Sequence, residues 1–115
     1  NGTTVGATTR ATGNFSNMTA TSVVEDSSIV YKENVNPITD ALESILQLSG
    51  VTYDRKDGST QNEAGLIAED VNKILPNLVA KNSDGNPDGI NYTKLSAYLI
   101  EAVKTLKLEI EQLKR

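Results

Sequence analysis

The pattern of hydrophobic and polar positions divides the chain into three parts. Residues 1–26 are mostly small and polar, with no helical repeat of apolar residues. Between residues 27 and 91, short apolar runs alternate with turn residues, which is typical of a compact mixed domain. From Tyr92 onward, apolar residues recur every three or four positions, which predicts a long helix. The expected fold class is therefore α+β, a small domain of helices and short strands followed by a long C-terminal helix.

Periodicity and turn residues predict the elements of the middle part. Asn36-Pro37 is expected to start a helix that ends near Gly50, because Asn caps helices and Pro fits their first turn. A second helix is expected over residues 65–75, stopped by Pro76. Shorter apolar runs predict strands at residues 29–35, 51–55, 78–80 and 89–92, with turns at Asp57-Gly58 and across residues 82–89.

The C-terminal helix carries the seven-residue repeat of a coiled coil. Its expected seam is formed by Tyr92, Leu99, Val103, Leu106, Ile110 and Leu113. A seam of only three heptads is marginal for a free helix, so we expect self-association, although its residue types favour two strands rather than three. A second apolar line is also compatible with a helix that packs on its own domain, or with one that does both. That line is Leu95, Ile100, Ala102 and Leu108.

The N-terminal residues 1–26 admit two interpretations. Their Thr, Gly, Asn, Ala and Ser content is compatible with a disordered linker. It is equally compatible with short strands and glycine turns that cannot bury a face alone and need copies of themselves alongside, which is typical of fibre shafts. The chain does not begin with Met, and we interpret it as a piece of a longer protein.

Composition removes most familiar chemistries. The chain has no Cys and no His, which excludes disulfides, cysteine nucleophiles and histidine-based catalysis. A net charge of −4 argues against binding nucleic acid, and no apolar run approaches the roughly 20 residues of a membrane span. Residues 84–89 resemble the start of a calcium loop, but its twelfth position is Leu95 rather than Glu. A tight turn is the simpler interpretation, and we expect no metal and no cofactor.

Ser27 and Lys32 form the remaining candidate site. Without histidine, a lysine removed from water is the natural base for a serine nucleophile. In a strand the two residues would lie about 17 Å apart on opposite faces, and in a helix about 140° apart. They can meet only if the backbone turns between them or if they come from different chains. From the residues alone, a surface serine and a surface lysine are the simpler interpretation.

Several motifs in order resemble one family. They are the junction from Ser27 to Ile38, the segment 41–53, the run Gly-Leu-Ile-Ala-Glu-Asp-Val at 65–71 with Pro76 and Val79, and Ile90-Asn91-Tyr92 leading into the last helix. Residues 27–113 thereby resemble the intramolecular chaperone auto-processing domain, a self-cleaving C-terminal peptidase of phage tail spikes, tail fibres and neck appendages. Two departures are Ser28, where that family usually has Asp, and Tyr31, where it often has Leu.

The resemblance implies a homotrimer that templates the folding of an upstream fibre shaft, a triple β-helix of the same polypeptide. Residues 1–27 would be the β-rich or extended end of the shaft, residues 28–115 the chaperone domain, and residues 92–115 its trimerising helix. The precursor would assemble in the cytoplasm of the bacterial host, and the chaperone domain would be absent from the mature particle. Neither nucleic acid nor a membrane is an expected partner.

The resemblance also implies a single-turnover serine peptidase, with Ser27 as nucleophile and Lys32 as general base. Ser27 cannot attack its own carbonyl within one chain, because the ring would have four members, whereas the Asp26 carbonyl is reached through a five-membered ring. A cut after Ser27 needs a serine from elsewhere, so Asp26–Ser27 and Ser27–Ser28 both remain candidate bonds, and Ser28 is the alternative nucleophile. The rival functions are a permanent, non-catalytic trimerisation and attachment domain and an adhesin stalk anchored by its coiled coil.

Overall fold

A computed structural model describes residues 13–115, which belong to two units, one ending at Val35 and one comprising Asn36–Arg115. Within residues 13–35, the regular structure is a 3₁₀ helix at Ile29–Tyr31, and residues 13–28 contain neither helix nor strand. The strand expected at residues 29–35 is therefore wrong. The β-rich shaft end predicted for residues 1–27 lies partly outside the described residues, and its described part has no strand.

The second unit is a small mixed domain of helices and short strands, as the hydrophobic pattern predicts. Its two sheets are two-stranded and antiparallel, one formed by β1 and β2 and the other by β3 and β4. In chain order, its elements are α1 (Ala41–Leu46), β1 (Val51–Tyr53), β2 (Glu63–Gly65), α2 (Ala68–Ile74), a 3₁₀ helix (Pro76–Leu78), β3 (Val79–Lys81), β4 (Pro87–Ile90) and α3 (Tyr92–Leu113).

Two helix starts differ from the expected positions. Helix α1 begins at Ala41 rather than just after Pro37, because Asp40 has a φ of 57° and a left-handed residue cannot continue a right-handed helix. Helix α2 begins at Ala68 rather than at Gly65, because Gly65 pairs with Val51 in the first sheet. The sequence pattern did not predict β2, whose three residues form a strand only through this pairing.

Both hairpins turn at glycines that the sequence marks as turn residues. Gly58 and Gly85 have φ values of 81° and 82°, which suit glycine because it has no Cβ. In the second hairpin, the side-chain oxygen of Asn82 accepts the backbone N–H groups of Asp84 and Asn86, both at 3.0 Å. The calcium-like residues therefore form a closed turn whose geometry is set by an Asn side chain.

The hydrophobic core of the second unit is small. Val71, Leu75 and Leu78 form its buried centre, with Leu78 only 2% exposed. Partly buried apolar residues of α2, β3, β4, α3 and two loops pack against this centre, namely Leu48, Leu66, Ile74, Val79, Ile90, Leu95 and Tyr98. A centre of three side chains buries little apolar surface, so losing one of them is expected to cost a large share of the stability.

Helix α3 confirms the long C-terminal helix predicted from the sequence. Helix α1 packs against it, and the fully buried residue of each helix is a small one, Ala41 in α1 and Ala102 in α3. Every residue of α3 after Ala102 is exposed. None of the described helices has both the length and the apolar character that a membrane crossing requires.

Candidate functional site

A turn of the backbone brings Lys32 to Ser27 within one chain. The Lys32 Nζ donates a hydrogen bond to the Ser27 Oγ over 2.8 Å. Neither a strand nor an α-helix would allow this contact at a spacing of five residues. The 3₁₀ helix between the two residues supplies the turn that such a pair requires.

Hydrogen bonds to Ser28 and Ile29 define this turn. The Tyr31 N–H donates to the Ser28 carbonyl at 3.1 Å, and the Lys32 N–H donates to the Ile29 carbonyl at 3.0 Å. Ser28 and Lys32 themselves have extended backbone angles, so the chain is extended on both sides of one helical turn. The short turn reverses the side-chain direction that an extended chain would impose, and the two side chains meet.

The two adjacent serines have different hydrogen-bond partners. The Ser28 Oγ accepts the Val30 N–H at 3.3 Å and caps the turn, whereas the Ser27 Oγ accepts from the amine of Lys32. A serine acts as a nucleophile when a base is placed to take its proton. By this criterion, the geometry favours Ser27 over Ser28 as the reactive hydroxyl.

The pair is open to water in the single chain. Ser27 and Lys32 are both exposed, and the apolar side chains between them, Ile29, Val30 and Tyr31, are 67%, 77% and 68% exposed. The arrangement can therefore position a base against a hydroxyl but does not shield either from solvent. Across residues 13–115, no cluster of three acidic side chains is arranged to hold a metal ion.

The predicted seam residues of α3 are all exposed in the single chain. Their exposed fractions are 48% for Tyr92, 43% for Leu99, 63% for Val103, 46% for Leu106, 45% for Ile110 and 86% for Leu113. Of the second apolar line, Leu95 packs on the core and Ala102 is buried, whereas Ile100 and Leu108 are 58% and 65% exposed. One side of α3 therefore docks on its own domain, and among the described residues the seam side remains between 43% and 86% exposed.

Tyr92 also has a role within the chain that the heptad pattern did not predict. Its hydroxyl accepts the Leu66 N–H at 2.9 Å, which ties the first turn of α3 to the segment after β2. Gly65 lies between this hydroxyl and that of Tyr53, and a Cβ at Gly65 would come within 2.9 Å of both oxygens. The sequence signal was Gly65 at the start of the run Gly-Leu-Ile, since a glycine often marks such a close approach.

A cluster of polar side chains on the first hairpin was likewise not predicted. The Glu63 carboxylate accepts from the Tyr53 hydroxyl at 2.7 Å, the Arg55 guanidinium at 2.9 and 3.1 Å, and the Thr60 hydroxyl at 2.7 Å. These bonds, the one from Arg55 first, lower the pKa of Glu63 to about 2. The same carboxylate raises the pKa of Tyr53. The cluster fixes the hairpin beside Tyr92, and with its pKa at about 2 the Glu63 carboxylate is too weak a base to activate either hydroxyl.

Comparison with known proteins finds that the chain is similar to one peptidase family and to phage tail fibre proteins. Residues 27–80 match the model of a peptidase family described as chaperone of endosialidase. Over 106 residues, 86% of this chain, the sequence is 32% identical to the long tail fiber protein Gp37 of Enterobacteria phages K3 and T2. It is also 31% identical over 93 residues, 73% of this chain, to Gp37 of Salmonella phage S16, of which the match covers 12%. The chain spans about 8% of the length of the first two relatives.

Proposed function

Residues 27–80 belong to the chaperone-of-endosialidase family, and from this premise we propose that the chain is a C-terminal intramolecular chaperone that releases itself from a phage fibre. The similarity to long tail fibre proteins supports a fibre-associated chaperone domain and a component of the virion. The finer proposal has two steps, trimerisation through α3 and a single cut beside Ser27. It assigns residues 1–27 to the end of the shaft and residues 28–115 to the chaperone domain, with Ser27 at the boundary, so that the bond that is cut decides which piece retains Ser27.

Trimerisation would give the upstream strands their register. Winding three strands that are rich in Thr and Gly has a large ordering entropy cost and few side chains that specify register. Tethering three chains by their C-terminal helices raises the local concentration of those strands and removes an association step. The exposed seam side of α3 supports this step, because the six apolar residues there keep between 43% and 86% of their surface open in the single chain.

The contact between Lys32 and Ser27 is the observation that carries the proposed cut. Once the Lys32 amine has released its extra proton to water, it accepts the hydroxyl proton while the Ser27 Oγ forms a bond to the Asp26 carbonyl carbon. The proton then passes to the Ser27 nitrogen as the peptide bond breaks, which leaves an ester between Asp26 and Ser27. Water hydrolyses this ester, giving a carboxylate at Asp26 and a free amine and hydroxyl at Ser27.

Exposure of the pair suggests why the cut would follow assembly. Lysine becomes a better base when water is removed, since desolvation disfavours the ammonium form. Ser27 and Lys32 are exposed in the single chain, so we place the removal of water in the assembled trimer. After the cut, the fibre would lack the template on which it folded, so that unfolding becomes kinetically hard to reverse. This order agrees with assembly of the precursor in the host cytoplasm and loss of the chaperone domain from the mature particle.

The test is the intact mass of the chain over time, expressed with a longer upstream segment. We expect the wild type to split beside Ser27, and Ser27→Ala and Lys32→Arg to stay whole. Arginine keeps the charge and the hydrogen-bond donors of Lys32 but does not give up its proton. Lys56→Ala, at another exposed lysine, should cleave normally and is the matched control.

The fragment masses also identify the peptide bond that is cut. A cut at Asp26–Ser27 leaves Ser27 on the released domain, and a cut at Ser27–Ser28 leaves it on the shaft and requires a serine from another subunit. If Lys32→Arg is cleaved at the wild-type rate, Lys32 is not the general base. A wild type that stays intact as an assembled oligomer would instead identify a permanent trimerisation and attachment domain.

A further inference from the structure

We propose that Ser28 is a positioning residue for the cut, because its hydroxyl caps the turn that holds Lys32 on Ser27. The inference rests on the Ser27–Lys32 reaction proposed above and adds a third residue to it. Ser28 would not exchange a proton with the reacting atoms. It would instead keep the base within reach of the nucleophile.

The hydrogen bonds around Ser28 lead to this role. Its Oγ accepts the Val30 N–H at 3.3 Å, and its carbonyl accepts the Tyr31 N–H at 3.1 Å. Both bonds close the turn whose next residue is Lys32. Because a 3₁₀ helix rises about 2.0 Å per residue and a strand about 3.3 Å, three residues in this turn shorten the path by about 4 Å. The turn also rotates Lys32 to the side of Ser27, which the extended chain would not do.

Packing contributes little to holding this turn. None of its residues is buried, and Ile29, Val30 and Tyr31 are each at least 67% exposed. A single turn gains little from cooperative helix formation, so its stability depends on the few hydrogen bonds that it makes. The hydrogen bond that the Ser28 Oγ accepts from the Val30 N–H is one of these few. Serine, asparagine and aspartate are the preferred side chains at this capping position, and alanine is among the poorest.

A substitution series at Ser28 separates capping from nucleophilic attack. We expect Ser28→Ala to slow the cut roughly fivefold, the typical effect of losing a serine cap, without moving the cleaved bond. Ser28→Asn should restore the rate close to that of the wild type, because asparagine caps equally well but has no hydroxyl. Ser22→Ala, at an exposed serine of the same unit, controls for the loss of a hydroxyl.

Each result of the mass time course has a definite meaning. If Ser28→Asn and Ser28→Ala both abolish the cut, Ser28 is the nucleophile and the positioning role is wrong. If both cleave at the wild-type rate, the cap is irrelevant to the reaction and the proposal is also wrong. Loss of activity in Ser27→Ala, together with rescue in Ser28→Asn, is the result that we expect.

A second measurement tests the cap when no cut occurs at all. The nuclear Overhauser effect between the Lys32 ε protons and the Ser27 β protons reports their proximity directly. We expect this signal in the wild type and in Ser28→Asn, and a several-fold weaker signal in Ser28→Ala. An unchanged signal in Ser28→Ala would overturn the positioning role. A wild type that shows the signal but never cleaves would overturn the proposed peptidase, and a weaker signal in Ser28→Ala would still establish the cap.

Discussion

Replacing Leu106 by alanine tests whether the exposed side of α3 is an assembly surface. Leu106 is 46% exposed in the single chain. Fully burying a leucine side chain contributes about 1.5–3 kcal/mol, so burying the exposed part would contribute about 0.7–1.4 kcal/mol per chain. A trimer contains three copies, which gives about 2–4 kcal/mol and a roughly 30- to 900-fold loss in the trimer association constant. Alanine keeps the β carbon, so the lower half of this range applies.

Leu108 offers a matched control on the same helix. It lies two residues further on, about 200° around the helix axis and therefore on the opposite side. It is 65% exposed, more than Leu106, so general hydrophobicity would predict a larger effect for Leu108→Ala. Seam packing predicts the reverse, with little change in association for Leu108→Ala.

Sedimentation equilibrium over a concentration series measures both variants against the wild type, and circular dichroism checks that each stays helical. A wild type that is monomeric at all concentrations would refute the assembly surface. Equal weakening by Leu106→Ala and Leu108→Ala would refute the seam as its location. A dimer that is weakened only by Leu106→Ala would support the seam as the interface and show that two chains associate rather than three.

Two further predictions concern the folded domain. Leu78→Ala is expected to lower the free energy of unfolding by about 2–5 kcal/mol, because Leu78 is 2% exposed in a core of three residues. Chemical denaturation measures this change. Leu46→Ala is the control, since Leu46 is 74% exposed and its loss should change the free energy of unfolding by less than about 0.5 kcal/mol. Glu63 has its pKa in the folded chain lowered from 4.5 to about 2, so its contribution to stability is fully present above pH 4.5 and is lost as the pH falls towards 2. The difference in unfolding free energy between the wild type and Glu63→Gln should therefore shrink across that window, and a difference independent of pH would contradict the assigned hydrogen bonds.

The hydrophobic pattern predicted the elements in which apolar residues recur at a regular spacing. Helix α3 and strand β1 lie where the periodicity indicates, since both present one apolar side over several residues. Strand β2 was missed because its three residues have no such pattern. It depends on the pairing of Glu63 with Tyr53, a contact between residues ten positions apart that no local signal encodes.

The candidate site, like the fold, was predicted only in part from the sequence. The sequence identified Ser27 and Lys32 as a pair of suitable chemistry, but the β-branched residues Ile29 and Val30 favoured a strand that would have kept them apart. A serine side chain that bonds the nearby backbone outweighed this preference, as such residues do in turns. Ser28, the departure from the aspartate usual in the family that the junction resembles, is itself the capping residue.

The exposed C-terminal half of α3 has a consequence for chains that do not associate. Residues 103–113 extend the helix by about 17 Å with no buried side chain, and a helix of this length is marginal in water without packing. An orphan chain would therefore present a fraying, leucine-rich end to the proteases of its surroundings, whereas an assembled chain would hide it. The same stretch of sequence would thus make an unassembled chain more open to proteolysis than an assembled one.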